Sequence, residues 1–305
     1  MVLNGIIDLH MHTTVSDGSD APEEIISFVK EAGITLFSVT DHDAVKGSRI
    51  VQSHLKAGDP AFICGTEFSC KDELGKYHIL GYGYDSESTA VRDIVDKGHS
   101  LRMRKVKARL EFIRNEFGFG FPEEEITKLL AMDNPGKPHI GNLMVKYGYV
   151  ETKEKAIKDF INKLKIRNEY LRPEEAIAGI LKGGGIPVLA HPFYGDGDQL
   201  ILGTEMEDRL KRLMDFGLQG VETFYSGFTP KLIGEMRKLA RRYDLYVTAG
   251  SDYHGRNKMV ILGDTGMPPG APIEPGMERF LEAVRIIKPE LFTDDANGTV
   301  KEGKG

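Results

Sequence analysis

The stretch GIIDLHMHT, residues 5–13, predicts the fold class of the chain. Its apolar first half is typical of a buried β-strand, and the helix that follows is predicted to begin near Pro22 and end at Gly33. Three more apolar strands follow, the last two joined across residues 72–75: ITLFSVTDHD (34–43), AFICGTEF (61–68) and KYHILGYGY (76–84). Apolar strands that alternate with helices indicate a mainly parallel sheet with both faces covered.

The middle third of the sequence differs, because helical periodicity dominates there and strand-like runs are few. Five apolar residues recur at i+3 or i+4 spacing and predict one buried helix face: Met103, Val106, Leu110, Ile113 and Phe117. After residue 172 the alternation returns, with strands predicted at 185–192, 218–225 and 245–252 and helices predicted at 205–217, 230–243 and 274–287.

These patterns predict an α/β chain in which residues 1–86 and 172–290 form one barrel-like βα domain. Residues 87–171 would be a helical insertion over the mouth of the barrel. Two unrelated domains are the alternative for a chain of this length. The segment 291–305 has almost no apolar residues, so we expect a mobile tail there.

The composition excludes several classes of function. The net charge of −6 argues against non-specific binding along duplex nucleic acid but allows a local cationic pocket. Cys64 and Cys70 are too few for a disulfide framework, so a reducing cytoplasm is the expected location. No apolar run reaches the ~18 residues of a membrane span, and the N-terminal residues do not resemble a secretion signal. We therefore expect no membrane partner.

Histidines and carboxylates recur at or just after the predicted strands, where the mouth of a βα barrel would gather them. The candidates are His10, His12, Asp17, His42, Glu67, His78, His191, Asp252 and His254. Residues i and i+2 of a strand point to the same side about 6–7 Å apart, so His10 and His12 could bind one cation. Imidazole nitrogen and carboxylate oxygen suit Zn, Mn or Fe. A single His-x-His pair also occurs by chance, so the prediction depends on the whole set.

HMHTTVSDG, VTDHDAVKG, GTEFSC, HILGYGYD, AHP and GSDYHG resemble the successive motifs of the PHP (polymerase and histidinol phosphatase) family. The resemblance covers residues 5–86 and 173–256. It implies a distorted seven-stranded βα barrel that holds two or three divalent metal ions. By position it implies that the first metal is bound by His10, His12, Glu67 and Asp252, the second by Glu67, His78 and His191, and the third by Asp17, His42 and His254.

The resemblance also implies a metal-dependent phosphoesterase. A metal-bound hydroxide held by Glu67 and His191 would attack phosphorus in line. The other metal positions would neutralise charge on the phosphoryl oxygens. Phosphate is then expected as a bound product or mimic.

Two basic segments in the predicted insertion are candidates for holding an anionic substrate. Arg102, Lys105 and Arg109 share one face of a basic helix that spans 97–114, although such a face is often only solvated. GKPHIG (136–141) resembles the G-R-P-H motif of the PHP subgroup of nucleoside 3′,5′-bisphosphate phosphatases and 5′-to-3′ exoribonucleases. Lys137 replaces the usual Arg, and a point charge then replaces a bidentate group. His139 could donate to a phosphate, or it could be a helix N-terminal residue without a catalytic part.

The favoured function is hydrolysis of phosphate monoesters of small nucleotides, such as nucleoside 3′,5′-bisphosphates, or of short oligonucleotides of single-stranded RNA or DNA. A histidinol-phosphate-type phosphatase is the alternative within the family. An amidohydrolase is the alternative outside it, since that class also begins with His-x-His on the first strand of a barrel. A non-enzymatic, metal-stabilised binding module is the third possibility, although the complete ligand set argues against it.

Overall fold

A computed structural model describes residues 5–166, 169–195, 199–268 and 270–289 of the chain. The predicted mobile tail at 291–305 lies outside these residues. No helix within the described ranges is long and apolar enough to cross a membrane.

The described residues form eight strands: β1 (Ile6–Asp8), β2 (Ile34–Phe37), β3 (Ala61–Phe62), β4 (Gly65–Asp72), β5 (Gly75–Tyr82), β6 (Ile186–Leu189), β7 (Gly220–Tyr225) and β8 (Tyr246–Gly250). A three-stranded sheet has the order β1-β2-β3 and is parallel. A five-stranded sheet has the order β4-β5-β6-β7-β8. In that sheet β5 runs antiparallel to both of its neighbours, whereas β6, β7 and β8 are parallel.

This topology differs from the prediction of a mainly parallel, seven-stranded barrel. The predicted strand 61–68 divides into β3 and β4, which belong to different sheets. The connection between β4 and β5 is too short for the crossover that parallel strands need, so the two strands form an antiparallel hairpin. The two sheets meet through isolated bridges, Met11 with Tyr253 and His42 with Glu67. A closed seven-stranded barrel is therefore not confirmed, while the mixed α/β class is.

The α-helices are α1 (Pro22–Glu31), α2 (Lys46–His54), α3 (Thr89–Phe117), α4 (Glu123–Leu130), α5 (Lys137–Lys146), α6 (Lys153–Lys155), α7 (Pro173–Lys182), α8 (Gly203–Asp215), α9 (Pro230–Arg242) and α10 (Pro275–Ala283). A π-helical turn, Ala156–Phe160, and a 3₁₀ turn, Ile161–Lys163, follow α6. Proline opens α1, α7, α9 and α10, because its fixed φ suits the first turn, where its missing N–H costs nothing.

Apolar side chains of the strands pack under α7–α10 in the main core, and a second core lies under α1 and α2. The helices α3–α5 have a core of their own, which includes Val106, Leu110 and Ile113 from the predicted stripe. The helix α3 is therefore buried on this face, and its basic residues Arg102, Lys105 and Arg109 are buried as well. The division of the chain into domains at 86/87 and 171/172 stays a prediction.

Candidate metal centre

The nine predicted histidines and carboxylates come together at one place in the fold. Glu67, in β4, lies at the middle of the group and is 1% exposed. Its two carboxylate oxygens lie 2.9–3.4 Å from the ring nitrogens of five histidines: His10, His12, His42, His78 and His191. These histidines come from the ends of β1, β2 and β6 and from β5. The hairpin and the parallel strands thus direct their side chains to a common point.

The remaining predicted residues adjoin this group on the side of β8. Asp252 places Oδ1 3.4 Å from Nε2 of His10 and 3.3 Å from Nε2 of His12. Asp17 and His254 form a further group with His12 and His42, in which one ligand atom of each residue lies within 4.8 Å of the others. The structure therefore brings all nine residues together, while the role of each as a metal ligand stays a prediction.

The arrangement fits divalent cations. Within the described part of the chain, Glu67 Oε2, Asp17 Oδ1 and His42 Nδ1 are buried and form no hydrogen bond of normal geometry, although Glu67 Oε2 and His42 Nδ1 lie only 3.0 Å apart. Buried polar atoms in folded proteins are normally paired, so these facing lone pairs are suited to a positive ion. His10 and His12 use Nδ1 for contacts away from the centre and direct Nε2 toward it. An outer hydrogen bond that orients a ring in this way is typical of metal-binding histidines.

The charges of the surrounding residues also favour a cation at this centre. Burial disfavours the charged form of His10, but the carboxylates of Glu222, Glu67 and Asp252 outweigh it and raise the pKa of the ring. For His12, burial is likewise outweighed by contacts with Asp252 and Glu67, which raise its pKa to about 9. Burial would raise the pKa of Glu67, but the histidines around it hold that pKa well below its usual range. The buried carboxylates thus favour positive charge at this position, which a divalent cation would supply.

Glu222, in β7, is a supporting residue that sequence reasoning missed. It is fully buried, its Oε1 lies 2.9 Å from Nδ1 of His10, and its Oε2 accepts a hydrogen bond of 2.7 Å from the backbone N–H of His191. One carboxylate therefore fixes two histidines of the centre. The available signal was Glu222 itself, the single charged residue of the predicted strand LQGVETFY, because a buried carboxylate needs partners.

Two more residues that sequence reasoning missed contact Asp252. The hydroxyl of Tyr225 donates a hydrogen bond of 2.9 Å to Asp252 Oδ2, and Lys258 forms an ion pair with the same oxygen. Asp252 Oδ1 is left to face His10 and His12. These contacts fix the orientation of the carboxylate, and no motif pointed to either residue.

The predicted substrate residues lie near the centre but already have protein partners. Arg102 is 8% exposed and donates to Asp43 Oδ2, over 2.7 Å from its NH2 group, and to Ser69 Oγ over 3.1 Å. Lys137 donates to Asn162 Oδ1 over 2.6 Å. His139 accepts a hydrogen bond from the backbone N–H of Gly136 over 3.0 Å. Their part in substrate binding stays a prediction.

His139 also lies close enough to the metal centre to be influenced by it. Burial lowers the pKa of its ring, and the negative charge of Asp17 opposes that shift. The helix α5 therefore brings the GKPHIG segment toward the third group of predicted ligands.

A family model and several characterised proteins are similar to this chain. A model of the PHP domain matches residues 8–216. A phosphoribosyl 1,2-cyclic phosphate 1,2-diphosphodiesterase of Eggerthella lenta is 29% identical over 262 residues, which cover 82% of this chain and 95% of that protein. A 3′,5′-nucleoside bisphosphate phosphatase of Chromobacterium violaceum is 28% identical over 301 residues, 93% of this chain and 98% of that one. A 5′-3′ exoribonuclease of Haemophilus influenzae is 25% identical over 260 residues, 84% and 92% of the two chains.

A solved structure supports the fold. A protein from Bifidobacterium adolescentis, named as a metal-dependent phosphoesterase, superposes with a TM-score of 0.75 at 24% identity, over 91% of this chain and 96% of that one. The family match spans more than half of the chain, and the predicted class of enzyme, a metal-dependent phosphoesterase, is confirmed with it. The chain therefore belongs to the PHP domain family.

Proposed function

We propose that this metal-dependent phosphoesterase hydrolyses phosphate monoesters of small nucleotides, with nucleoside 3′,5′-bisphosphates and short single-stranded oligonucleotides as its substrates. The observation that carries the proposal is the convergence of nine histidines and carboxylates around Glu67, next to a helix with three buried basic residues. The histidines and carboxylates are suited to binding cations, and the basic residues of the helix supply positive charge for an anionic substrate.

Two or three divalent ions, Zn, Mn or Fe, would be held by three overlapping groups of residues. The first group is His10, His12, Glu67 and Asp252, the second is Glu67, His78 and His191, and the third is Asp17, His42 and His254. Bound cations of this kind lower the pKa of water and neutralise charge on phosphoryl oxygens. The protein itself orients the ligands, with Glu222 hydrogen-bonded to His10 and His191 and with Tyr225 bonded to Asp252.

The helices between β5 and α7 supply the basic groups and cover one side of the centre. The side chain of Asn134 donates to the backbone oxygen of His42, and Lys153 donates to the backbone oxygen of Asn257 over 3.1 Å. These contacts hold the loop between α4 and α5, and the helix α6, against segments that carry the predicted ligands His42 and His254. Arg102, Lys137 and His139 are the proposed substrate-binding residues. The relatives that act on a nucleoside bisphosphate or on RNA support a nucleotide substrate.

A cyclic phosphate diester is the second candidate substrate, because the relative from Eggerthella lenta is named for hydrolysis of such a compound. Both reactions need cations that neutralise a phosphoryl group, so the metal centre alone does not separate them. A histidinol-phosphate-type or amidohydrolase-type activity has no comparable support from the substrate side of the site.

The test is a panel of substrates given to protein reconstituted separately with Zn, Mn and Fe, with the metal content of each preparation measured. The panel contains adenosine 3′,5′-bisphosphate, a 5′-phosphorylated RNA trinucleotide, phosphoribosyl 1,2-cyclic phosphate, histidinol phosphate and an acyl amide. We expect the highest kcat/KM on one of the first two. The Glu67→Gln variant is the control, because it keeps the size of the side chain but removes its charge. Cleavage of the amide without release of phosphate from any ester would refute the proposal.

A further inference from the structure

The helix α3 buries three cationic side chains, and two of them, Lys105 and Arg109, form no ion pair with a carboxylate among the described residues. Arg102, Lys105 and Arg109 are 8%, 5% and 6% exposed. Arg102 is paired with Asp43. Among the described residues, Lys105 forms no hydrogen bond or ion pair with a carboxylate, and its ammonium lies 3.8 Å from the centre of the Tyr170 ring. Lysine is rarely buried this far without a partner, because removing its charge from water is costly.

The β4–β5 hairpin brings two more lysines to the same ring. Lys71 and Lys76 are direct cross-strand partners, and each ammonium lies 5.8 Å from the centre of the Tyr170 ring. Cross-strand partners point to the same face of a sheet, so both side chains project on the side that α3 covers. Three ammonium groups are thus gathered around one aromatic ring.

Among the described residues, the charges that act on Lys105 in this lysine cluster (Lys71, Lys76 and Lys105 at Tyr170) are mainly positive. Burial, together with the neighbouring charges of Arg102, Arg109 and Lys76, lowers the pKa of Lys105 to about 7, although the carboxylate of Asp43 opposes the shift. Of the nearby acids, Asp43 is engaged by Arg102, and Glu169 forms an ion pair with Arg104. A bound anion would offset the mutual repulsion of these ammonium groups.

The lysine cluster is connected to the metal centre by one face of the hairpin. Glu67, Ser69 and Lys71 alternate along β4 and therefore point the same way. Four residues of strand separate Glu67 from Lys71, a span of about 13 Å. Stacked nucleotides of one strand rise about 3.4 Å each along the axis, so this span is longer than a single nucleotide step. A substrate whose end lies at the metals would reach the cluster through its backbone.

We propose that Lys71, Lys76 and Lys105, gathered around Tyr170, form a second phosphate-binding subsite that holds a non-reacting internucleotide phosphate of a short oligonucleotide. The inference rests on the proposed function for the placement of the reacting phosphate. It adds a preference for oligonucleotides over mononucleotides that the metal centre does not require.

The test compares three substrates on the metal-loaded enzyme: a 5′-phosphorylated RNA tetranucleotide, adenosine 3′,5′-bisphosphate, and p-nitrophenyl phosphate, which carries no second phosphate. In the Lys71→Ala/Lys76→Ala double variant, the ratio of kcat/KM for the tetranucleotide to that for p-nitrophenyl phosphate should fall about 10-fold or more, since charge-assisted contacts to phosphate are lost. The slope of log kcat/KM for the tetranucleotide against log salt should become shallower by about 1.4, or ~0.7 per lost contact.

Lys105→Met repeats the test at the buried position, and its melting temperature is measured to show that the variant folds. Lys107→Ala is the matched control, because Lys107 is exposed on the same helix. If the ratio for the bisphosphate falls as far as that for the tetranucleotide, the oligonucleotide assignment is wrong. If p-nitrophenyl phosphate turnover falls equally, or if neither ratio moves, the subsite itself is refuted.

Binding of a fluorescent 5′-phosphorylated tetranucleotide, followed by anisotropy, separates failure of the subsite from failure of the proposed function. Wild-type protein that hydrolyses no phosphate ester contradicts the proposed function. If that protein still binds the oligonucleotide about 10-fold more tightly than the double variant does, the subsite is supported independently. Equal binding by the two proteins overturns it.

Discussion

The substitution Glu222→Gln tests whether the orientation of two histidines is what prepares the metal centre. The carboxylate accepts from the backbone N–H of His191 through one oxygen and contacts His10 Nδ1 through the other. Glutamine has the same shape but only one acceptor oxygen. If the NH₂ group of the glutamine faces His191, it meets a backbone N–H that needs an acceptor. If it faces His10, it donates to Nδ1, and His10 must then carry its proton on Nε2, the atom that faces Glu67.

The expected magnitude follows from the loss of one hydrogen bond to a charged acceptor in a fully buried site. Such a bond contributes about 1.5–3 kcal/mol, and changes to the outer partners of metal-binding histidines typically cost about 10–100-fold in metal affinity. We therefore expect Glu222→Gln to bind Zn or Mn about 10–100-fold more weakly than the wild type. Activity at limiting metal should fall in the same proportion and recover partly at high metal concentration.

Competition with a chromophoric chelator measures the metal affinity directly. Glu235→Gln is the matched control, because Glu235 is exposed and pairs only with Lys238 on the surface of α9, according to the contacts within the described chain. Unchanged metal affinity in Glu222→Gln, with a normal melting temperature, would show that the contacts of Glu222 with His10 and His191 do not prepare the centre.

Three other outcomes are expected. Chelation of metal should abolish phosphate release. Addition of Mn or Zn should restore it in the wild type but not in Glu67→Gln. Phosphate release by the fully demetallated wild type would contradict a metal-dependent reaction. Phe280→Ala should lower the free energy of unfolding by about 3–5 kcal/mol in urea titrations, because Phe280 is fully buried and packs edge-on against Tyr82 at 5.5 Å. Burial opposes ionisation of Asp43, but Arg102 outweighs it and lowers the pKa, so this carboxylate stabilises the fold above the unfolded pKa of about 4. The free energy of unfolding of Asp43→Asn should thus be lower than that of the wild type by about 3–5 kcal/mol at pH 7. This difference should shrink as the pH falls below about 4 and through the lowered pKa of the folded state. A difference that does not change between pH 7 and pH 3 would refute this assignment.

Local signals predicted most of the secondary structure, because they depend on neighbouring residues. The helix predicted to begin near Pro22 is α1, the helices predicted at 230–243 and 274–287 correspond to α9 and α10, and the strand signals at 34–43 and 76–84 correspond to β2 and β5. The boundaries were less accurate, since residues 5–13 and 34–43 form strands only over Ile6–Asp8 and Ile34–Phe37. Apolar runs indicate burial, but pairing partners decide where a ladder ends.

The topology was predicted less well, because it also depends on which strands pair with each other. Residues 61–68 look like one apolar strand, yet β3 pairs with β2 while β4 turns into a hairpin with β5. Sheet partners far apart in the chain leave no local mark. The burial of the basic face of α3 was also not predictable from the sequence, because a solvated helix face and a buried one can have the same charge and the same periodicity. Only the packing of α3 against the hairpin shows that Lys105 is buried.

The order of residues along the chain already identifies the side chains available for chemistry. These are six histidines and three carboxylates in a recognisable order, with the His-x-His spacing that turns two rings to one side. How these side chains are supported, and which residues lie beside them, depends on the three-dimensional packing. Glu222 is 212 positions from His10, and Lys105 meets Lys71 and Lys76 through contacts between separate elements. Hydrogen bonds and charge interactions act over a few ångströms of space, whatever the separation along the chain, so these contacts follow from the packing of strands and helices and not from local sequence.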